Sequence, residues 1–432
     1  MADTFVIKGG RPLKGTVHVP GAKNAALKEI AAALLTKETV TLEGMPQISD
    51  VVRMLEIVEA LGADVETDWP ARTVKITADT VDASRLSSEH VRAIRASVVL
   101  LGPLLARCGE INIPYPGGDQ IGARPLTAHV DALAQLGATI ERTDGHLHAY
   151  TPPGGLEPGH VVLPEFSVTA TENALMAAAG TPGETTIAIA AAEPHVRDLA
   201  ALLTAMGAKT WYSGPNTYTV QGVKELHGAT HRVIPDLLDA FTFLMAGVVT
   251  RGDVTTAGVA SDQCELALLK LKEVGVELET QGDRIRALPH SGTYRAARVQ
   301  ALPFPGIPTD LQPLFALLAT QSEGSSLIHD PLYENRFRYL EELQRMGADT
   351  QMLDPHRAIV SGPTILTGVP ITSFDIRAGA VLVLAGLVAN GVTTIAGIDH
   401  VDRGYEDLSG RLSALGADIQ RVRSGVSTTP SQ

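Results

Sequence analysis

Cysteine is nearly absent: Cys108 and Cys264 are the two thiols in 432 residues. They lie far apart in sequence, which excludes a disulfide framework and a zinc site built from clustered thiolates, and two buried, inert thiols are expected. Aromatic residues are equally scarce, at 4%, leaving little material for stacking nucleic-acid bases. Positive charge is in deficit, with a formal net charge of −13, so any anion must be held by a local cluster of Arg and Lys. No run is long enough to cross a bilayer, because the longest apolar stretch, Ala378 to Ala389, has 12 residues and a spanning helix needs about 20. The N-terminal residues carry no charged region leading into an apolar one, so no secretory signal is expected and a reducing, cytoplasmic setting follows. A strand-linked G-x-G-x-x-G, a Walker A Lys-Ser/Thr and an H-E-x-x-H are also missing, so nucleotide cofactors and a catalytic metal are unsupported, and no cofactor is expected.

What is present is apolar and repetitive. Hydrophobic residues make up 44% at a mean hydropathy of +0.11, enough to fill two cores of about 200 residues each. A helix exit followed by a strand recurs six times, at Leu61-Gly62-Ala63, Leu136-Gly137-Ala138, Met206-Gly207-Ala208, Val274-Gly275-Val276, Met346-Gly347-Ala348 and Leu415-Gly416-Ala417, with glycine separations of 75, 70, 68, 72 and 69. Each Gly closes an amphipathic helix: in the first repeat Val51, Met54, Leu55, Val58 and Leu61 follow Ser49 and Asp50 as caps, and in the last Tyr405, Leu408, Leu412 and Leu415 share a face. A second, more apolar helix precedes it, over Lys23 to Leu35, Val91 to Cys108, Thr171 to Ala179, Leu238 to Thr250, Asp310 to Ser322 and Ile376 to Ala389. The repeat reads helix, strand, helix, strand, strand, with the apolar helix buried and the amphipathic one half exposed. Varied loops and the lack of polar capping repeats argue against an open solenoid. Two domains of three repeats are expected, one over 21–233 carrying loop 115–125, the other over 1–20 plus 234–425, with 426–432 a disordered tail.

Core residues obey a repeat; a site is built once, so departures from the repeat are informative. The segment Tyr115-Pro116-Gly117-Gly118-Asp119-Gln120-Ile121-Gly122-Ala123-Arg124-Pro125 has no counterpart in the other repeats, and its Gly and Pro exclude a regular helix or central strand. Pro20-Gly21-Ala22-Lys23-Asn24 places a Lys where a helix dipole opposes it, a conflict resolved either by a bound anion or by the Lys snorkelling away from the helix end. Arg95 sits in a helix too apolar for the surface and needs a partner, either protein or ligand. His129 begins the helix after the loop. Asp310, Arg336, Arg377 and Arg403 each fall at or near a helix start. Lys23, Arg95, Arg124, Arg336, Arg377 and Arg403 together would make a basic pocket for a small polyanion inside an acidic protein, with Asp119 and Asp310 available for proton transfer.

These residues resemble the UDP-N-acetylglucosamine 1-carboxyvinyltransferase family of enolpyruvyl transferases over nearly the whole chain. The motifs that carry the likeness are Gly21-Ala22-Lys23-Asn24-Ala25-Ala26-Leu27, Arg95-Ala96-Ser97, Pro116-Gly117-Gly118 through Ile121-Gly122-Ala123-Arg124-Pro125, Pro308-Thr309-Asp310-Leu311-Gln312, Glu334-Asn335-Arg336-Phe337 and Asp402-Arg403-Gly404-Tyr405, in family order. The resemblance implies an α/β fold of two inside-out barrels, each of three repeated units, closing over a cleft. It implies enolpyruvyl transfer from phosphoenolpyruvate to the 3-hydroxyl of UDP-N-acetylglucosamine, with no nucleic acid, no membrane insertion and no indicated protein partner. It makes Asp119 the loop acid and Asp310 the base, with Lys23 and Arg403 also in the catalytic set. Phosphoenolpyruvate would be held by Lys23, Arg124 and Arg403 about its phosphate, by Arg336 and Arg377 on its carboxylate, and also by Asn24. The sugar nucleotide would meet Asn24, Arg95, Arg124, Pro125, Leu126, Thr127, Ala128, His129, Glu165, Phe166, Ser167, Val168, Asp310, Leu332 and Tyr333.

The chain departs from the family pattern at Asp119, where most members carry Cys. A carboxyl there must keep its proton near neutral pH against nearby Arg, through desolvation or an offsetting phosphate, and without a thiol it should be insensitive to the alkylating epoxide fosfomycin. Glu165-Phe166-Ser167-Val168-Thr169 replaces a basic residue followed by Ser-Val-Gly, His195 a frequent acidic residue and Leu237 a frequent basic one. Two other readings stand beside the first: a paralogue using another nucleotide acceptor, supported by the altered 165–169 segment, and an inactive repeat-fold binding protein, which would be expected to have lost part of the basic cluster.

Overall fold

A computed structural model describes residues 3–119, 121–143 and 145–423, and the tail expected at 426–432 lies outside them. The chain forms two compact units. The first holds residues 20–118 and 124–235; the second holds the N-terminal residues to 19, the segment 119–123, and everything from 236. Relative to the expected boundaries the chain crosses at 19/20 and 235/236, and the loop tip Asp119–Ala123, expected with the first unit, groups with the second.

The first five repeats have the expected order, as in helix Lys23–Ala33, strand Thr39–Glu43, helix Ser49–Ala60, and strands Asp64–Asp68 and Thr73–Thr77. All six periodic glycines have positive φ, from 91° at Gly137 to 113° at Gly207, the left-handed turn that ends each amphipathic helix at no steric cost. Burial follows the hydrophobic pattern. In helix Ile376–Val388 every residue through Leu387 is buried, whereas Ser49–Ala60 buries one face. Each fully buried Leu or Val on such a helix contributes about 1.5–3 kcal/mol.

Within the first unit, among the described residues, three sheets surround the apolar core, one per repeat. Two of them are completed by a parallel strand from another repeat: His160–Val162 joins Gly183–Ala188 of the repeat that follows it, and Thr230–Arg232, at the end of the third repeat, joins Thr39–Glu43 of the first, with Thr230 opposite Thr41. The second unit has three sheets of its own. Among the described residues its last repeat has two strands of its own, and Thr4–Lys8 lies between them, antiparallel to both Val392–Ala396 and Asp418–Val422. Lys14–His18 then runs parallel to Asp253–Ala257. Pairing the chain start in this way covers sheet edges that would otherwise stay open. Among the described residues no helix is long and apolar enough to cross a membrane.

The expected helix over Val91 to Cys108 is instead broken into helix Ser88–Ala93, an extended Ile94 (φ −135°, ψ 138°), a 3-10 segment Arg95–Leu100 and helix Leu101–Cys108. The buried Ser97 hydroxyl donates to the carbonyls of Val91 and Ile94, at 2.8 and 2.7 Å, satisfying groups that the break frees. Apolar content alone does not reveal this kink.

Candidate active site

In the second unit Asp310 lies on the 3-10 turn Thr309–Leu311, just ahead of helix Gln312–Thr320. Its carboxylate bridges two buried guanidiniums: Oδ1 accepts from Arg336 Nη2 at 2.7 Å and Oδ2 from Arg377 Nε at 3.0 Å. Arg336 opens a second 3-10 turn, Arg336–Arg338, and Arg377 is the second residue of Ile376–Val388, whose N-terminus is capped by the Asp375 carboxylate. Arg377 also stacks over the Tyr405 ring, 5.3 Å from its centroid, and the Tyr405 hydroxyl pairs with Thr242. Burial pushes the Asp375 carboxyl up, against the opposing pull of Arg336.

The two guanidiniums are incompletely satisfied. Arg336 Nε and Arg377 Nη1 are buried with no hydrogen-bond partner among the described residues. A buried, unpaired donor on a charged group costs more than the 1–3 kcal/mol of a neutral one. Two such donors flanking one carboxylate are suited to a bound anion beside a base.

The loop tip is held by two further motifs of the same unit. Arg403 Nη1 contacts Asp119 Oδ1 at 2.5 Å, with both side chains largely buried. Asn335 N–H donates to the Ile121 carbonyl at 3.1 Å, and Ala123 N–H donates to Glu334 Oε1 at 2.6 Å, which lowers the Glu334 carboxyl below its ordinary range. Residues near 119, 334 and 403 therefore meet. Arg403 follows the short helix Asp399–Asp402 rather than starting one, because Asp407 takes a left-handed conformation and the next helix begins only at Leu408. Of the remaining second-unit candidates Leu332 is exposed and Tyr333 half-buried.

In the first unit Lys23 opens helix Lys23–Ala33 with no side-chain cap and no acidic residue in the first turn. Its ammonium is 2.7 Å from Asp50, both groups buried. Asp50 thus neutralises Lys23 rather than capping its own helix, whose N-cap is Ile48. Asn24 is half-buried beside Lys23. The Arg95 guanidinium donates to the backbone carbonyls of Pro116, at 3.3 Å, and Arg124, so it ties together the two ends of the loop that belong to this unit. Arg124 is half-buried; Pro125 and Thr127 are exposed; Leu126 and Ala128 are buried. Glu165 and Phe166 are exposed, Ser167 caps helix Val168–Ala179, and Val168 is its first residue. Of the departures, His195 faces the buried Glu172, 3.9 Å away, whose carboxyl burial raises to about 8. Leu237 packs on the second core.

His129 is buried and both ring nitrogens are engaged: Nδ1 accepts from Asn173 Nδ2 at 2.8 Å, so Nε2–H donates to Thr169 Oγ1 at 3.0 Å. Burial, then the charges of Arg95 and Arg124, lower its pKa to about 3. The unfolded chain takes up this proton near pH 6.5 and the folded chain does not, so the associated stability is present above pH 6.5 and is lost as pH falls toward 3. Wild type is expected to lose about 2 kcal/mol between pH 6.5 and 5 from this residue; His129→Gln should flatten that slope in denaturant titrations.

Sequence reading missed three roles: Asp50 as the partner of Lys23, Glu334 as the anchor of the loop tip, and Arg95 as a clamp on loop carbonyls. Glu334 stood inside a quoted motif, where a carboxylate beside Arg336 was a usable signal. The other two depend on which helices face each other.

Residues 7–412 match the family model described as EPSP synthase (3-phosphoshikimate 1-carboxyvinyltransferase). The UDP-N-acetylglucosamine 1-carboxyvinyltransferase of Magnetococcus marinus is 44% identical over 420 residues, 97% of this chain and 99% of that one. The protein of the same name from Corynebacterium jeikeium is 43% identical over 423 residues, 98% and 100% of the two chains. Among solved structures, the enolpyruvyl transferase NikO from Streptomyces tendae aligns with a TM-score of 0.88 at 28% identity, covering 98% of this chain and all of that one. EPSP synthase from Acinetobacter baumannii shares the fold, with a TM-score of 0.72 at 21% identity over 98% of this chain and 100% of its own.

Proposed function

From the premise that this chain belongs to the EPSP synthase family, within its UDP-N-acetylglucosamine 1-carboxyvinyltransferase branch, we propose that it transfers the enolpyruvyl group of phosphoenolpyruvate to the 3-hydroxyl of UDP-N-acetylglucosamine and releases phosphate. That is the first committed step of peptidoglycan precursor synthesis, carried out in the cytoplasm. The observation that carries this reading is the Asp310 carboxylate held between Arg336 and Arg377, each of which keeps a buried donor without a partner.

The reaction needs one base and one acid. Asp310 takes the proton of the sugar hydroxyl as its oxygen adds to C2 of phosphoenolpyruvate, while Asp119 protonates C3. The tetrahedral adduct then loses a C3 proton as the C2–O bond to phosphate breaks, restoring the double bond. Arg336 and Arg377 bind the phosphoenolpyruvate carboxylate through their open N–H groups. Lys23, Arg124 and Arg403 bind its phosphate, with Asn24 beside them; the phosphate charge replaces Asp119 on Arg403, and the released carboxylate takes from solvent the proton that it then delivers to C3. The segments 124–129 and 165–168, with Arg95, Leu332 and Tyr333, surround the sugar nucleotide. This assignment uses side chains alone and requires no cofactor.

The test is phosphate release from phosphoenolpyruvate with UDP-N-acetylglucosamine, UMP or shikimate 3-phosphate as acceptor. Release with UDP-N-acetylglucosamine is expected. Release with UMP alone would replace this reading by a paralogue, and no release with any acceptor would leave a binding protein. The greater identity to the UDP-N-acetylglucosamine enzymes than to NikO favours the first outcome.

The loop geometry adds a prediction. Gly118 has a φ of +106°, and an added Cβ would stand 2.6 Å from Arg95 Cβ. Gly118→Ala should therefore cut turnover by about tenfold or more, the equivalent of 1–2 kcal/mol of left-handed strain plus a clash, with little change in Tm. Gly154→Ala is the control: its φ is +117° with nothing within 4 Å of an added Cβ, and its turnover should stay at the wild-type level.

A further inference from the structure

The first unit carries a cluster of ionisable groups that the proposed reaction does not use. Glu29 lies about 1.7 turns beyond Lys23 on helix Lys23–Ala33, Asp198 on helix Pro194–Ala205, and His231 on strand Thr230–Arg232. One ligand atom from each lies within 4.8 Å of the others. His231 Nε2 is 3.1 Å from Asp198 Oδ1 and 3.6 Å from Glu29 Oε1.

Glu29 is fully buried, no donor group among the described residues hydrogen-bonds either of its oxygens, and it can bond the Asp198 carboxyl only by sharing a proton. An ionised carboxylate in that condition costs several kcal/mol unless a cation compensates it. The nearest groups of the cluster are a second carboxylate and an imidazole nitrogen that is hydrogen-bonded to it at 3.1 Å; a cation bound among the three takes the place of the shared proton. We propose that Glu29, Asp198 and His231 bind one divalent first-row cation of the zinc type.

The spacing fits. Tetrahedral zinc with ligand bonds of about 2.1 Å separates its ligand atoms by about 3.4 Å, between the 3.1 and 3.6 Å observed here. Two carboxylates and a neutral imidazole neutralise a divalent charge. Asp198 is oriented from outside, because its other oxygen accepts the Ile234 N–H at 2.8 Å; such outer partners hold metal ligands in place. The Asp198 and His231 side chains are each 13% exposed, leaving a route for the ion and a water as fourth ligand. A bound ion would join three elements, one of them the helix that presents Lys23 and Asn24 at its start. Ala22 N–H, at the same helix entry, donates to the Ile234 carbonyl at 2.7 Å. The role is to brace that helix; the ion takes no part in the transfer.

The competing account is a proton shared by the carboxyls of Glu29 and Asp198, with no metal. The full chain, stripped with chelator, is titrated with ZnCl2 by calorimetry and melted with and without zinc. One zinc per chain and a raised Tm are expected, with affinity lower by at least about 100-fold in both Glu29→Gln and His231→Gln and unchanged in His148→Ala, whose imidazole lies elsewhere on the unit. Gln at 29 can donate to Asp198, so that variant should fold and melt at or above the metal-free wild type. Cobalt substitution supplies a readout independent of the variants, the intense visible bands of a tetrahedral ion. Absent stoichiometric binding, affinity unchanged by Glu29→Gln, or a weak octahedral cobalt spectrum would each overturn the proposal. Enzymatic turnover enters none of these readouts, so the result is separate from the fate of the assigned reaction.

Discussion

Asp310→Asn is expected to lower kcat by about 10²–10⁴-fold, the usual contribution of a positioned general base. The substitution keeps the shape of the side chain but replaces the basic carboxylate that takes the hydroxyl proton by an amide of negligible basicity. It also removes the counter-charge of two buried guanidiniums, Arg336 and Arg377, and breaking a buried ion pair from one side costs about 3–5 kcal/mol. Activity must therefore be read beside stability. The expected result is a folded protein with a lowered Tm that still binds phosphoenolpyruvate, since both Arg keep their open donors, but hardly turns over. A fall in turnover no larger than the fall in folded fraction at the assay temperature would remove Asp310 from the role of base and leave it as a structural counter-ion.

The second large effect concerns Asp119, which contacts Arg403. Asp119→Asn should lose about 10²–10⁴ in kcat, because an amide cannot deliver the proton that C3 requires. Asp119→Cys should retain turnover, since a thiol can donate a proton from the same loop. The two active forms then diverge towards the epoxide fosfomycin. The Cys variant should be inactivated in a time-dependent way, with one adduct per chain by mass spectrometry, while wild type keeps its full rate of phosphate release after the same incubation. A covalent adduct on wild-type Asp119, or tight inhibition of wild type, would refute the assignment.

These expectations rest on parts of the molecule that were unequally legible in the sequence. The repeat was plain, because each amphipathic helix must end in a left-handed turn and only Gly takes that turn freely. Gly62, Gly137, Gly207, Gly275, Gly347 and Gly416 mark the exits, and each has a positive φ in the structure. The buried helices were equally plain, since Ile376–Val388 is apolar on all sides. Asp310 and the four second-unit candidates Asp119, Arg336, Arg377 and Arg403 stood out as residues that the repeat does not require.

Partnership was much harder to read. Asp50 follows a Ser at a helix start and has the local pattern of a cap, yet it pairs with Lys23 because two helices of the repeat pack side by side. Arg95 called for a partner of either kind and found loop carbonyls. The Val91–Cys108 stretch reads as one helix by composition, but the break at Ile94 is set by long-range packing and by what Ser97 can satisfy.

The sequence by itself determined six repeats, their helix exits, the loop without a counterpart, and the residue types of an acid, a base and a set of cations, because these follow from local conformational preference and from where hydrophobic residues recur. Only the tertiary structure decided that Asp119 lies on Arg403, that Asp310 is shared by two guanidiniums with donors to spare, and that Glu29, Asp198 and His231 converge. Those facts depend on contacts between elements up to hundreds of residues apart, and such contacts arise from how the elements pack, which one-dimensional periodicity does not record.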